Sequence, residues 1–248
     1  MRHVGRRLAR GASAAVALAA LSPSRALAYR PFDLTDAEVA PAREVELELG
    51  PFAAVHTAGD TSLAPGFVLN YGLMRRVELV AEDHNRFAAG ASETSPPSQT
   101  AAAILVKGVL REGVLQERTG PSVALEVGVL LPVLPAPQGF GASTALIISE
   151  RWPATTIHVN LQVDLARDHH LDAVGGAIVE GPHTWRIRPV GEAYVEHEGA
   201  GPTVLSALGG AIWQLRDDLS FDAAARAARD DALAVLELRL GLTWAFAL

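Results

Sequence analysis

The chain has 248 residues, of which 49% are apolar and 20% charged, and it contains no cysteine. Disulfides, thiol chemistry and cysteine-ligated metals are therefore excluded, and the fold rests on backbone pairing and packing. The formal charge is −7 and there is a single lysine, Lys107, which excludes nucleic acid as a partner because phosphates require clustered cations.

At the start of the chain, Arg2, Arg6, Arg7 and Arg10 precede a small-apolar run over 12–21, followed by Pro23 and the triplet Ala26-Leu27-Ala28. A charged start, a short apolar stretch and an A-x-A site spell a secretory signal peptide over 1–28. The run of about ten residues is half the ~20 that a spanning helix requires. Cleavage after Ala28 removes five arginines and no acids, so 21 basic against 28 acidic residues becomes 16 against 28, a mature charge of −12. Residues 29–42, with Pro31 and Pro41, read as a short irregular lead-in on the periplasmic side.

From Arg43 the texture changes to period two. Glu44, Glu46 and Glu48 alternate with Val45, Leu47 and Leu49, and the pattern recurs over 43–56, 64–73, 76–87, 100–114, 121–132, 140–151, 154–166, 171–180, 184–197, 202–215, 219–228 and 233–248. These are twelve strands, an even number. In 154–166, Ile157, Val159, Leu161, Val163 and Leu165 share one face while His158, Asn160, Gln162 and Asp164 share the other. In 233–248 the even positions Leu236 to Leu248 are all large and apolar, with Glu237, Arg239, Gly241, Thr243 and Ala245 between them. No apolar run beyond the signal reaches helix-spanning length, so any membrane crossing must be made by strands. The expected fold is all-β, an antiparallel up-and-down transmembrane barrel of about 12 strands over 43–248, in the bacterial outer membrane and in contact with its lipid.

Alternation alone does not say which face is inside; the tryptophans do. Trp152, Trp185, Trp213 and Trp244 all fall at strand ends on the periplasmic rim, and with Phe246 they form the expected aromatic girdle, since an indole favours one apolar face and one wet edge. Connections on that side are tight, as at 74–76, 152–153, 181–183 and 216–218, whereas those opposite are longer or richer in Pro and Gly, as at 83–99 and 132–139.

The inner face then carries the functional lead. The expected lumen-lining set is Glu44, Glu46, Glu48, Lys107, Arg111, Glu126, His158, Asn160, Gln162, Asp164, Arg186, Arg188, Glu192, Asp222, Arg226, Glu237 and Arg239. Charge rings of this kind set selectivity in a pore, while the same charges paired across strands fill a closed interior. Closure of the cylinder brings the last strand beside the first, which places Glu237 and Arg239 next to the Glu44, Glu46, Glu48 row.

The signal peptide, the twelve alternating strands, Asp218-Leu219-Ser220-Phe221-Asp222 and the final Glu237-to-Phe246 stretch resemble bacterial outer-membrane barrels. The resemblance is greatest to the transporter-like family grouped with the MetA pathway of phenol degradation. It implies a last strand recognised by the barrel insertion machinery and a small-molecule permeant. The chain departs from the family pattern in that Ala247 and Leu248 follow the aromatic Phe246.

Catalytic patterns of barrel enzymes are not met. There is no His-x-Ser pair, and His158 reads as a hydrogen-bonding group of the lumen. Asp83-His84 and Asp168-His169-His170 read as solvated loop residues, because neighbours along a strand point to opposite faces. His56, His84, His169, His170 and His197 gather at the outer end without zinc-motif spacing. The expectation is a non-enzyme with no cofactor, a passive channel or transporter with a narrow, polar, net-acidic lumen. The alternative is a closed structural or surface-interaction barrel.

Overall fold

The computed structural model describes residues 31–58, 60–89, 97–135, 139–199, 201–230 and 233–248. The signal peptide at 1–28 and residues 29–30 lie outside them. The strands are β1 (Glu44–Thr57), β2 (Asp60–Ala64), β3 (Gly66–Met74), β4 (Val77–Ala88), β5 (Ser98–Arg111), β6 (Ser122–Leu130), β7 (Gly141–Trp152), β8 (Thr155–Leu165), β9 (Leu171–Glu180), β10 (Ile187–His197), β11 (Thr203–Arg216), β12 (Leu219–Asp230) and β13 (Leu233–Ala247). A 3-10 turn, Val114–Gln116, interrupts the connection between β5 and β6.

Strands β2 and β3 both pair antiparallel with β1 and with β4, so they are two halves of one barrel strand divided at Pro65. The remaining neighbours pair in chain order and β13 returns to β1, closing a 12-strand antiparallel cylinder. Closure leaves no unpaired edge, which is what a strand-built membrane span requires.

The sidedness is inverted relative to a water-soluble barrel. Leu161, Leu205, Leu238, Val163 and Ile187 are exposed on the outside, while Glu78, His158, Asn160, Ser149, Asp222 and Thr243 are buried within. Hydrocarbon on the exterior is stable only against lipid, and polar groups inside satisfy one another. Trp152, Trp185, Trp213 and Trp244 are exposed at one end of the cylinder, the end where β1 begins. Trp152 sits at the β7–β8 turn, Trp213 opposite Ile187 and Phe221, and Trp244 opposite Leu219. Phe246 continues the row, its ring 4.9 Å from that of Trp244.

One irregularity resets the interior. Between Leu49 and Phe52 the β1–β13 register slips at Gly50-Pro51, across from the Pro65 break. Gly50 has φ 131°, a conformation reserved for glycine, and a Cβ there would come within 2.9 Å of the Leu240 carbonyl oxygen. The bulge switches the inward face of β1 from even to odd positions: Glu46 and Glu48 are buried before it, Ala53 and Val55 after it. One expectation fails for this reason. Arg239 pairs with Ala53 and Glu237 with Val55, while Glu46 and Glu48 oppose Ala245 and Thr243, so the last strand's arginine is not beside the glutamate row.

The larger correction concerns 29–42. The described part of that lead-in, 31–42, does not trail on the periplasmic side but lies inside the cylinder. Phe32 and Leu34 are buried against Ile178, Val190, Leu208 and Ile212, and Ala37 against Leu115, Ala124, Ala145 and Ile147. From there the chain runs out to the rim at Pro41, where Gly72 leaves room for it; a Cβ on Gly72 would stand 2.0 Å from the Pro41 carbonyl oxygen.

Candidate functional site

The lumen is organised around this inserted segment, whose backbone finds its partners in barrel side chains. Glu192 accepts hydrogen bonds from the Asp33 and Leu34 N–H groups, at 3.0 and 2.8 Å. Asn160 makes a reciprocal amide pair with Thr35, accepting from its N–H at 3.2 Å and donating to its carbonyl at 2.8 Å. Ser149 accepts from Ala37 N–H at 3.1 Å, Gln116 donates to the Ala37 carbonyl at 2.9 Å, and Glu78 accepts from Ala40 N–H at 2.6 Å. An irregular backbone is tolerated at membrane depth only when its polar groups are satisfied in this way.

Two ion-pair clusters fix the side chains. Asp33 receives Arg239 at 2.8 Å and Arg226 at 3.2 Å, and both arginines also hold Glu237, at 2.7 and 2.6 Å. Burial pushes the Asp33 carboxyl upward, but the two guanidinium groups outweigh it and hold it below its usual range. Lys107 pairs with Glu78 at 2.9 Å, donates to the Thr35 hydroxyl at 3.2 Å and stands 3.9 Å from Asp36. Here burial prevails: it raises Asp36 to about 7 against Lys107, and Glu38 to about 7 against Arg151 and Lys107.

Alongside the segment, from the level of Glu46 and Glu78 toward the outer loops, a chamber of about 750 Å³ remains open. Residues 32–36 and 38–40 form its floor, and His84, Arg86, Arg167, Glu196 and Glu198 stand near its mouth. Of the expected lumen set, Glu46, Glu48, Lys107, Glu126, Asn160, Gln162, Asp164, Arg226, Glu237 and Arg239 line this chamber. Glu192 is committed to the segment. Arg188 pairs with Glu180 at 2.8 Å, Asp222 is buried against Gly241, and Glu44 lies two residues before Glu46, nearer the rim, at the start of β1.

Two residues of the set are not in the lumen. A bulge between Val109 and Arg111 turns Arg111 outward, and it is exposed at the end of β5. Arg186 precedes β10, is exposed, and donates to the carbonyls of Gln214 and Leu215 at the rim. Arg186 therefore does not share the inner wall with Arg188.

The structure adds what strand-by-strand reading missed. Ser149 lies opposite His158 on the neighbouring strand, its hydroxyl 2.8 Å from Nδ1, while Glu180 stands 3.4 Å from Nε2. Ser149 and His158 are sealed beneath Ala37, and the serine oxygen is engaged by the Ala37 N–H, so the trio serves as an anchor for the segment. His84, expected in a loop, is on β4 and lines the chamber, while His56 and His197 bond to the hydroxyls of Thr61 and Thr203. Among the described residues no cluster of His, Asp and Glu is placed to hold a metal ion.

No family model matches the sequence, and no curated protein matches it. Solved structures do. The COG4313 outer membrane channel from Pseudomonas putida F1 superposes with a TM-score of 0.58 at 8% identity, over 88% of this chain and 100% of that one. The CymD monoaromatic hydrocarbon channel gives 0.47 at 7% identity, over 86% and 90%. OmpT of Vibrio cholerae, an outer membrane protein with loop L8 deleted, gives 0.39 at 7%, over 82% and 97%. The first of these is a likeness of fold, and it agrees with the inverted sidedness: the chain folds as a β-barrel of the outer-membrane type.

Proposed function

We propose that the barrel is a passive channel or transporter that carries a small molecule across the outer membrane through a narrow, polar, net-acidic lumen, without enzymatic activity. The observation that carries this reading is the chamber of about 750 Å³ that runs alongside the inserted segment toward the outer end. Twelve strands enclose more width than inward side chains fill, and here the surplus is not distributed as small gaps but gathered on one side of the segment. That the P. putida neighbour is described as an outer membrane channel supports the same reading. The partners that go with it are lipid along the exposed leucines and valines, and the insertion machinery, which would engage β13.

Passage requires residues 31–42 to move, because they close the periplasmic half. Ionic conductance in planar bilayers tests the proposal: the folded mature chain passes small or intermittent currents, and a chain lacking 31–42 passes larger, continuous ones. The dense bonding of the segment favours the second reading, a closed structural or surface-interaction barrel. That reading is selected if neither protein conducts while both show the heat-modifiable gel mobility of a folded barrel.

A further inference from the structure

Within the chamber, one buried acidic group is left without a partner from the protein. Glu46 is 7% exposed, lines the chamber, and its Oε1 has no hydrogen-bond partner. The charged groups that bear on it most are carboxylates: Glu48, Glu78, Asp36 and Glu38. The cations of the chamber wall are engaged elsewhere, Lys107 with Glu78 and Thr35, and Arg226 and Arg239 with Asp33 and Glu237. The charged form of a carboxyl group buried among other carboxylates is stable only beside a positive partner with hydrogen-bond donors, and Glu46 belongs to the wall of the open chamber, where such a partner can enter.

The register states what lies beside it. Glu46 opposes Asn70, Asn70 opposes Val80, and Val80 opposes Leu105, so one level of the wall passes from carboxylate through amide to hydrocarbon. Val80 and Leu105 belong to an apolar cluster with Ala103, against which Val68 and Leu130 pack. An anionic acceptor set against an apolar wall fits a molecule with a charged donor at one end and hydrocarbon at the other. A metal ion fits less well, since no group of three ligands among the described residues surrounds the place.

We propose that the chamber binds small primary ammonium compounds with an apolar body, the ammonium on the Glu46 carboxylate and the hydrocarbon against Val80 and Leu105. The proposal names a ligand class for the channel reading, but binding at equilibrium does not depend on passage. The probe is butylammonium chloride, titrated calorimetrically into the folded full-length mature chain in detergent, with 1-butanol and butyrate as neutral and anionic counterparts. Saturable binding is expected for butylammonium alone. Glu46→Gln, which keeps shape and removes charge, weakens it at least tenfold, and Leu105→Ala weakens butylammonium more than methylammonium. Glu198→Gln at the mouth changes it less than twofold. Equal binding of butanol or butyrate, an unchanged affinity in Glu46→Gln, or an equal loss in Glu198→Gln overturns the proposal. So does an absence of binding both in the parent and in a chain lacking 31–42. Saturable binding without conductance leaves this site standing and removes the channel reading; conductance without binding does the reverse.

Discussion

Leu34→Ala isolates the contact that seats the inserted segment. Leu34 is 7% exposed in a socket of Ile178, Val190, Leu208 and Ile212, and Gly176 on β9 leaves space for its Cδ1, 2.7 Å from where a Cβ would be. Truncating a buried leucine costs about 2 to 5 kcal/mol, so even the low end shifts the docked-to-released ratio roughly 30-fold. The barrel is spared, because the ladder of β1 begins at Glu44 and residue 34 takes no part in strand pairing. The chain has no cysteine, so Ala40→Cys, at a position buried against Glu78 when the segment is docked, provides a unique reporter. In the Leu34→Ala background a bulky water-soluble maleimide should label that cysteine at least tenfold faster, and bilayer currents should rise. Equal labelling and equal currents, with heat-modifiable mobility retained, would refute the idea that this socket holds the lumen closed.

Arg239→Met removes the cation shared by Asp33 and Glu237 and leaves buried charge only partly answered by Arg226; barrel stability in urea should fall by about 3 kcal/mol. On the outer face, Leu161→Arg should destabilise the folded barrel by about 2 to 4 kcal/mol in lipid vesicles if that exposed position lies near mid-membrane, and much less in a short-chain detergent. Docking should also depend on pH. Burial raises Asp36 and Glu38 from ordinary values of 3.8 and 4.5 to about 7, with the carboxylates of Glu78 and Glu180 adding to the rise at Glu38 and the charges of Lys107, Arg151 and His158 opposing it. The docked segment thus holds protons that the released one gives up, so docking weakens as pH rises from about 4 to about 7 and levels off above that. Asp33, whose carboxyl is lowered, acts in the opposite sense only below its usual range. Labelling of the Ala40→Cys reporter, corrected for thiolate fraction, should accelerate between pH 5 and 7; slower labelling over that interval would contradict the assignment.

The barrel was legible because lipid imposes a strict rule on each strand. In 154–166 and 233–248 every second residue must be hydrocarbon, and only a strand places those residues on one side. The pair Arg226 and Glu237 was equally accessible, since chain-order pairing brings them opposite each other on β12 and β13. What parity could not carry was its own interruption. A single extra residue at Gly50-Pro51 or near Leu110 reverses the face of everything beyond it, which moved Arg239 away from the glutamate row and Arg111 out of the lumen.

The inserted segment left a different mark, in residues whose parity was correct and whose chemistry was not. Ile178, Val190, Leu208 and Ile212 occupy inward positions on three successive strands, where an inverted barrel should expose polar groups to water. Hydrocarbon on the wet side of such a wall needs a cover, because each such side chain left in contact with water forgoes roughly 1.5 to 3 kcal/mol of burial. The cover must itself be apolar, short enough to enter the cylinder, and furnished with charge for the surrounding arginines. Phe32, Asp33 and Leu34 supply hydrocarbon, carboxylate and hydrocarbon in that order, directly before the first strand. An apolar patch of wrong polarity on the inner wall, matched by an alternating apolar-acidic stretch outside any strand, is therefore the sequence signature of a self-plugged barrel, and it makes Leu34 a more telling position than any of the lumen charges.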